Sequence, residues 1–129
     1  MKGELPKAIE HLKRGLEIKP SHYLCRFNLG VLLFKLGLII EATLEYETIL
    51  KSNPKDASAA YNQAICLIQI GNYRKANEQC MITLTNGKED KALIFDCLKL
   101  KGICCYRLGN VPESIKCYNK ANRLKLESN

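Results

Sequence analysis

With 129 residues, 47% hydrophobic and 26% charged, the chain has the make-up of one ordered globular domain, which excludes wholesale disorder. Its net charge of +7 is spread along the chain with a mild excess towards the C-terminus; it favours acidic partners without identifying one. No apolar run approaches the roughly 18 residues of a membrane span, since Asn28 and Lys35 break the best stretch, Phe27 to Ile40.

The first predicted helix covers about 4–18. It mixes Glu4, Lys7, Glu10, Lys13 and Arg14 with apolar residues, so the N-terminus has no h-region of a secretory signal. Pro20 follows it. The second and third helices, about 22–36 and 39–52, flank Leu36-Gly37-Leu38, where glycine suits the left-handed conformation that ends a helix. Pro54 then closes the third, because proline cannot continue a helix interior. The fourth and fifth, about 56–70 and 73–86, flank Ile70-Gly71-Asn72. A loop is predicted around Asn86-Gly87-Lys88-Glu89-Asp90. The sixth and seventh, about 91–108 and 111–126, flank Leu108-Gly109-Asn110. No segment alternates as a strand would.

These elements repeat. Gly3, Gly37 and Gly71 are 34 residues apart, as are Ala8, Ala42 and Ala76, and the pairs Pro20–Pro54 and Asn28–Asn62. The next interval is 38, from Gly71 to Gly109, Ile65 to Ile103 and Cys66 to Cys104; the four extra residues are assigned to the 86–90 loop. Fixed-period self-similarity of this length marks a helical solenoid, in which each helix pair buries its apolar face against the next. Gly30, Ala64 and Gly102 on first helices, and Ala8, Ala42, Ala76 and Ser114 on second helices, are read as close-packing places.

The chain resembles the tetratricopeptide repeat family. The residues that carry the resemblance are Arg26, Leu29, Gly30, Leu33, Ala42, Tyr46 and Pro54 in one unit; Ala60, Gln63, Ala64, Leu67, Ala76 and Cys80 in the next; and Leu98, Lys101, Gly102, Cys105, Ser114 and Tyr118 in the last. The family's tryptophan is absent. The resemblance implies an all-α, right-handed α-solenoid of antiparallel helix pairs with about seven helices. It divides the chain into a half repeat at 3–20 (second helix only) and repeats at 23–56, 57–94 (with the four-residue loop insertion) and 95–129. The missing first helix before residue 3 predicts a piece of a longer array, a short isoform, or a partner that supplies that helix on the open N-terminal end. Asn122 stands where Leu16, Leu50 and Leu84 stand in earlier second helices, as a polar cap or as drift.

By the same resemblance, first helices line a concave groove. The groove residues are then Phe27, Asn28, Val31, Tyr61, Asn62, Ile65, Lys99 and Ile103, while Phe34, Ile68 and Tyr106 are read as packing. Apolar anchors would bury against a partner peptide or helix, and the two asparagine amides would bond its backbone. The carboxylate clamp with which some family members hold chaperone C-terminal tails is not matched: Phe27, Val31, Asp96 and Leu100 replace its polar and cationic residues, leaving Asn62 alone. Such tails are not expected to bind.

The chemistry-bearing residues suggest no reaction. Seven cysteines without a C-x-x-C pair fit small packing places better than metal or redox chemistry. Cys97 and Cys104, seven residues apart on one helix, stand too far apart to share a zinc ion. His11 and His22 are isolated, Glu41 and Glu45 share a solvated face, and no phosphate loop or nucleophile elbow is present. No cofactor is expected. Lys116, Lys120 and Arg123 form a basic face on the last helix, read as a solvated face or as a surface for an acidic partner. The expected function is a non-catalytic protein-interaction scaffold within a larger complex, intracellular and cytoplasmic. The alternative is an RNA-binding helical repeat, against which Phe27, Tyr61 and Lys99 at equivalent places do not look like a base-reading code.

Overall fold

A computed structural model describes residues 3–128, with no account of the Ser128 side chain. Asn129, the end of the last predicted repeat, lies outside the described residues. Seven helices occur in the described chain: α1 (Glu4–Ile18), α2 (Tyr23–Lys35), α3 (Ile39–Ser52), α4 (Ala57–Gln69), α5 (Tyr73–Asn86), α6 (Lys91–Arg107) and α7 (Val111–Ser128). No strand is present among them, so the all-α expectation holds.

The ends of the helices are written in local chemistry. Gly37, Gly71 and Gly109 have φ of 88°, 81° and 86°, the left-handed region that glycine alone enters freely. Each lets the following amide reach back: Leu38 N to Leu33 O, Asn72 N to Leu67 O and Asn110 N to Cys105 O, at 2.8–2.9 Å. At the other ends His22, Asp56 and Asp90 accept from the amides of Cys25, Ala59 and Leu93 and so cap α2, α4 and α6.

Those three caps are spaced by 34 throughout, which relocates the four extra residues. Helix α6 has 17 residues against 13 in α2 and α4, while the connections 53–56 and 87–90 are of equal length. The insertion is therefore the first turn of α6 and not a longer loop. Four residues are close to one helical turn, so the added turn leaves every downstream side chain on its original face.

Consecutive helices pack against one another along the chain, and α1 packs on α2 alone. The first helices also meet across units, α2 with α4 and α4 with α6, whereas α1, α3, α5 and α7 make no such contacts with one another. The first helices therefore crowd together on the inner wall, and the second helices spread outside them.

Close approach within each pair depends on the small residues. A methyl group on Gly30 would lie 2.7 Å from Tyr46 Cζ, and one on Gly102 would lie 2.7 Å from Tyr118 Cε2. Ala64 and Cys80 hold the matching places in the middle pair, both fully buried. A larger helix residue is there balanced by a smaller partner. Polar contacts join the units as well. Buried Gln63 donates to Thr43 O at 3.3 Å and receives the Gln79 amide. Arg26 bridges to Glu45 at 2.7 Å and to Pro20 O at 2.9 Å, filling the tryptophan place with a paired guanidinium.

Candidate functional site

The inner wall carries an apolar cleft of about 250 Å³ between α2 and α4. Val31, Phe34 and Lys35 come from α2, Asn62, Ile65 and Cys66 from α4, and Tyr46 reaches in from α3. Tyr46 arrives there because Gly30 lets its ring lie under α2. Its hydroxyl accepts from Asn62 Nδ2 at 3.2 Å, and its ring meets the Phe27 ring edge-on at 5.6 Å. Burial pushes the Tyr46 hydroxyl up to about 12, against a smaller lowering by Asn62, so it is neutral at physiological pH.

A second, more open cleft of about 450 Å³ lies between α1 and α2, formed by Ala8, His11, Leu12, Asn28, Val31 and Leu32. Val31 is common to both clefts and separates them.

The expected groove residues thus divide. Val31, Asn62 and Ile65 converge in the first cleft; Asn28 and Val31 line the second. Phe27 is half-buried and stacks on Tyr23 at 5.9 Å, so it belongs to the aromatic support of the cleft. Tyr61 is half-buried against the cluster formed by α4, α5 and α6. Burial raises its hydroxyl, followed by the charge of Asp96. Lys99 and Ile103 are exposed on α6 away from both clefts, with Lys99 Nζ 5.2 Å from the centre of the Phe95 ring. Tyr106, expected to pack, is 63% exposed. Phe34, also read as packing, both supports the core and lines the first cleft; Ile68 packs against the second core cluster.

Sequence reading missed Lys35, Tyr46 and Cys66 as cleft residues. Its assignment followed the first helices alone, whereas Tyr46 enters from a second helix. The 16-residue spacing of Gly30 and Tyr46, repeated in Gly102 and Tyr118, was the available signal.

Lys116, Lys120 and Arg123 are exposed on α7. Six of the seven cysteines are buried and Cys25 is half-buried; all are free thiols. Cys97 Sγ donates to Cys80 O at 3.4 Å. Hydrogen bonding to Cys104 and Cys97, with burial, keeps the Cys80 thiol protonated. In the last pair Lys101 Nζ sits 3.1 Å from Glu113 and 3.9 Å from Cys117 Sγ. Among the described residues no group of three or more His, Cys, Asp or Glu side chains is arranged to hold a metal ion, and no helix is long and apolar enough to cross a membrane.

The comparisons with known proteins agree with this architecture. The family described as anaphase-promoting complex, cyclosome, subunit 3 matches residues 38–121, well over half of the sequence, and the chain belongs to that family. No curated protein sequence matches it. Among solved structures, "MamA RS-1 ArsTM double mutant" superimposes with a TM-score of 0.88 at 17% identity, over 98% of this chain and 69% of that one. MamA 41-end from Desulfovibrio magneticus RS-1 gives 0.85 at 18% identity, over 97% and 68%. A tetratricopeptide repeat protein from Parabacteroides merdae gives 0.77 at 24% identity, over 92% of this chain and 46% of its own. The fold is that of the tetratricopeptide repeats, a fold of protein-interaction scaffolds that are in general not enzymes.

Proposed function

We propose that this chain is a non-catalytic scaffold that binds a peptide or helix of a partner protein on its inner wall, as part of a larger assembly. The observation that carries the proposal is the apolar cleft between α2 and α4. Val31, Phe34, Ile65 and Cys66 surround a space of about 250 Å³, with Lys35 at its rim and the Asn62 amide beside it. A partner side chain entering there exchanges water for apolar contact, at about 25 cal/mol per Å² buried. The family's description as a subunit of a complex supports membership of an assembly. The seven free thiols suit a reducing, intracellular compartment such as the cytoplasm. In this reading the array is a half repeat at 3–20 followed by units at 23–56, 57–90 and 91–129, the last opening on the added turn of α6.

Affinity enrichment from lysate with mass spectrometry tests the proposal, comparing the wild-type chain with Val31→Lys/Ile65→Lys. Both side chains are half-buried at the cleft mouth, so lysine can reach water by extending its stem. Circular dichroism first establishes that both proteins are helical. Partners lost only from the double variant support the inner-wall site; partners retained by both refute it.

A further inference from the structure

At the opposite end of the molecule from the clefts, α5, α6 and α7 leave a recess of about 390 Å³. Its floor is aliphatic: Leu84 of α5, Ile94 and Leu98 of α6, and Leu124 of α7. Ile94 belongs to the inserted first turn of α6, so this wall has no counterpart at the starts of α2 and α4. Lys120 and Arg123 of α7 stand at the rim, and neither makes an ion pair with a described residue. Lys116 continues the cationic row one turn away. The nearby acid, Glu113, pairs with Lys101 at 3.1 Å, and the charges of Lys116 and Lys120 act on it more weakly. One carboxylate, Glu127, lies on the lining towards the C-terminal end of α7.

We propose that this recess is a second docking surface, separate from the inner wall, and that its occupant is an acidic amphipathic segment of a partner protein. An aliphatic floor with exposed cations along one rim is complementary to a segment that carries leucine-like side chains on one face and carboxylates beside them. The apolar floor supplies burial, and the row Lys116, Lys120, Arg123 supplies attraction and orientation. Glu127 repels carboxylates from its own end. It therefore sets the polarity of the bound segment, with the acids lying towards Lys116 and Lys120. A nucleic acid backbone would engage the cations but has no aliphatic face for the floor, and is the disfavoured occupant.

The test uses the full chain and three labelled peptides of equal length, with binding read by fluorescence anisotropy. The first is an amphipathic helix with Leu at i, i+3, i+4 and i+7 and Glu on the flanking positions. The second has the same composition in scrambled order, and the third has Lys for Glu. The proposal expects the first peptide to bind at least tenfold tighter than either control. Lys120→Glu/Arg123→Glu should abolish the preference, Glu127→Lys should tighten binding severalfold, and Val31→Lys/Ile65→Lys should leave it unchanged. The rim substitutions are at exposed positions, and circular dichroism verifies that the variants are folded. Equal binding of ordered and scrambled peptides would overturn the proposal, since charge alone would then account for it. So would loss of binding in Val31→Lys/Ile65→Lys, which would place the peptide on the inner wall, or tighter binding of a single-stranded RNA oligonucleotide that displaces the peptide.

Discussion

Replacing Gly30 by alanine sets two effects of opposite sign against each other. In a helix interior alanine is favoured over glycine by about 1 kcal/mol. At this position the added methyl would lie 2.7 Å from Tyr46 Cζ and 3.0 Å from both Cε atoms. Carbon atoms in ordinary contact stand about 3.5–4.0 Å apart, so the ring must retreat by about 1 Å. Retreat towards the cleft between α2 and α4 would break its contacts with Phe27 and Asn62. Tyr46 is 1% exposed, meets Phe27 at 5.6 Å and accepts from Asn62 at 3.2 Å. Overpacking of this kind costs about 1–3 kcal/mol, so after the helix-propensity gain the net loss is expected to be up to about 2 kcal/mol. Urea denaturation followed by far-UV circular dichroism reads this as a fall in midpoint of up to about 1 M. The same substitution at Gly102 meets Tyr118 at an equal distance, yet Tyr118 is 38% exposed and swings outward, so the penalty is smaller. In a Tyr46→Cys background, which copies the native Ala64 and Cys80 pair, Gly30→Ala becomes neutral or stabilising by up to about 1 kcal/mol. A Gly30→Ala protein more stable than the wild type, or an equal change in both backgrounds, would refute the steric argument.

Three further outcomes follow from the same contacts. The Tyr46 hydroxyl is raised from 10.0 to about 12, so its contribution is fully present below pH 10 and is lost as pH rises from 10 towards 12, where the unfolded chain ionises first. Its slope of about 1.4 kcal/mol per pH unit should disappear from the alkaline denaturation profile in Tyr46→Phe. Asp90→Ala removes the cap on the inserted turn of α6 and should cost about 1 kcal/mol in urea denaturation, with hydrogen exchange accelerated over 91–95. Asp56→Ala removes the matching cap of α4 and should cost a similar amount. Alkylation by iodoacetamide, read by intact mass, should add at most one label, on half-buried Cys25, to the native protein and seven in urea. Early labelling of Cys105 or Cys117 would show the α6–α7 pair to be open in solution.

The period, the fold class and the turn positions were legible because each rests on a residue whose own chemistry imposes it. Gly37, Gly71 and Gly109 turn because they alone enter positive φ readily, and Pro20 and Pro54 follow helices that they cannot extend. The place of the four extra residues was misread for want of one comparison: the 34-residue spacing of His22, Asp56 and Asp90 fixes the helix starts, and leaves the insertion to α6. Which residues share a cleft was less legible, because periodicity assigns a face of a helix but not the neighbour that covers it. Phe27 and Val31 lie one turn apart on α2, yet Phe27 supports the Tyr46 ring while Val31 stands open between two clefts. Lys99 and Ile103, equivalent to residues of the inner wall in the repeat, lie away from both clefts. The sequence by itself determined seven helices, their caps and the period that stacks them, since those depend on backbone preferences and on contacts within one repeat. Only the tertiary structure decided which side chains converge, because a cleft is made by three helices at once. Its shape depends on where Gly30 admits Tyr46, a distance between elements that no local pattern encodes.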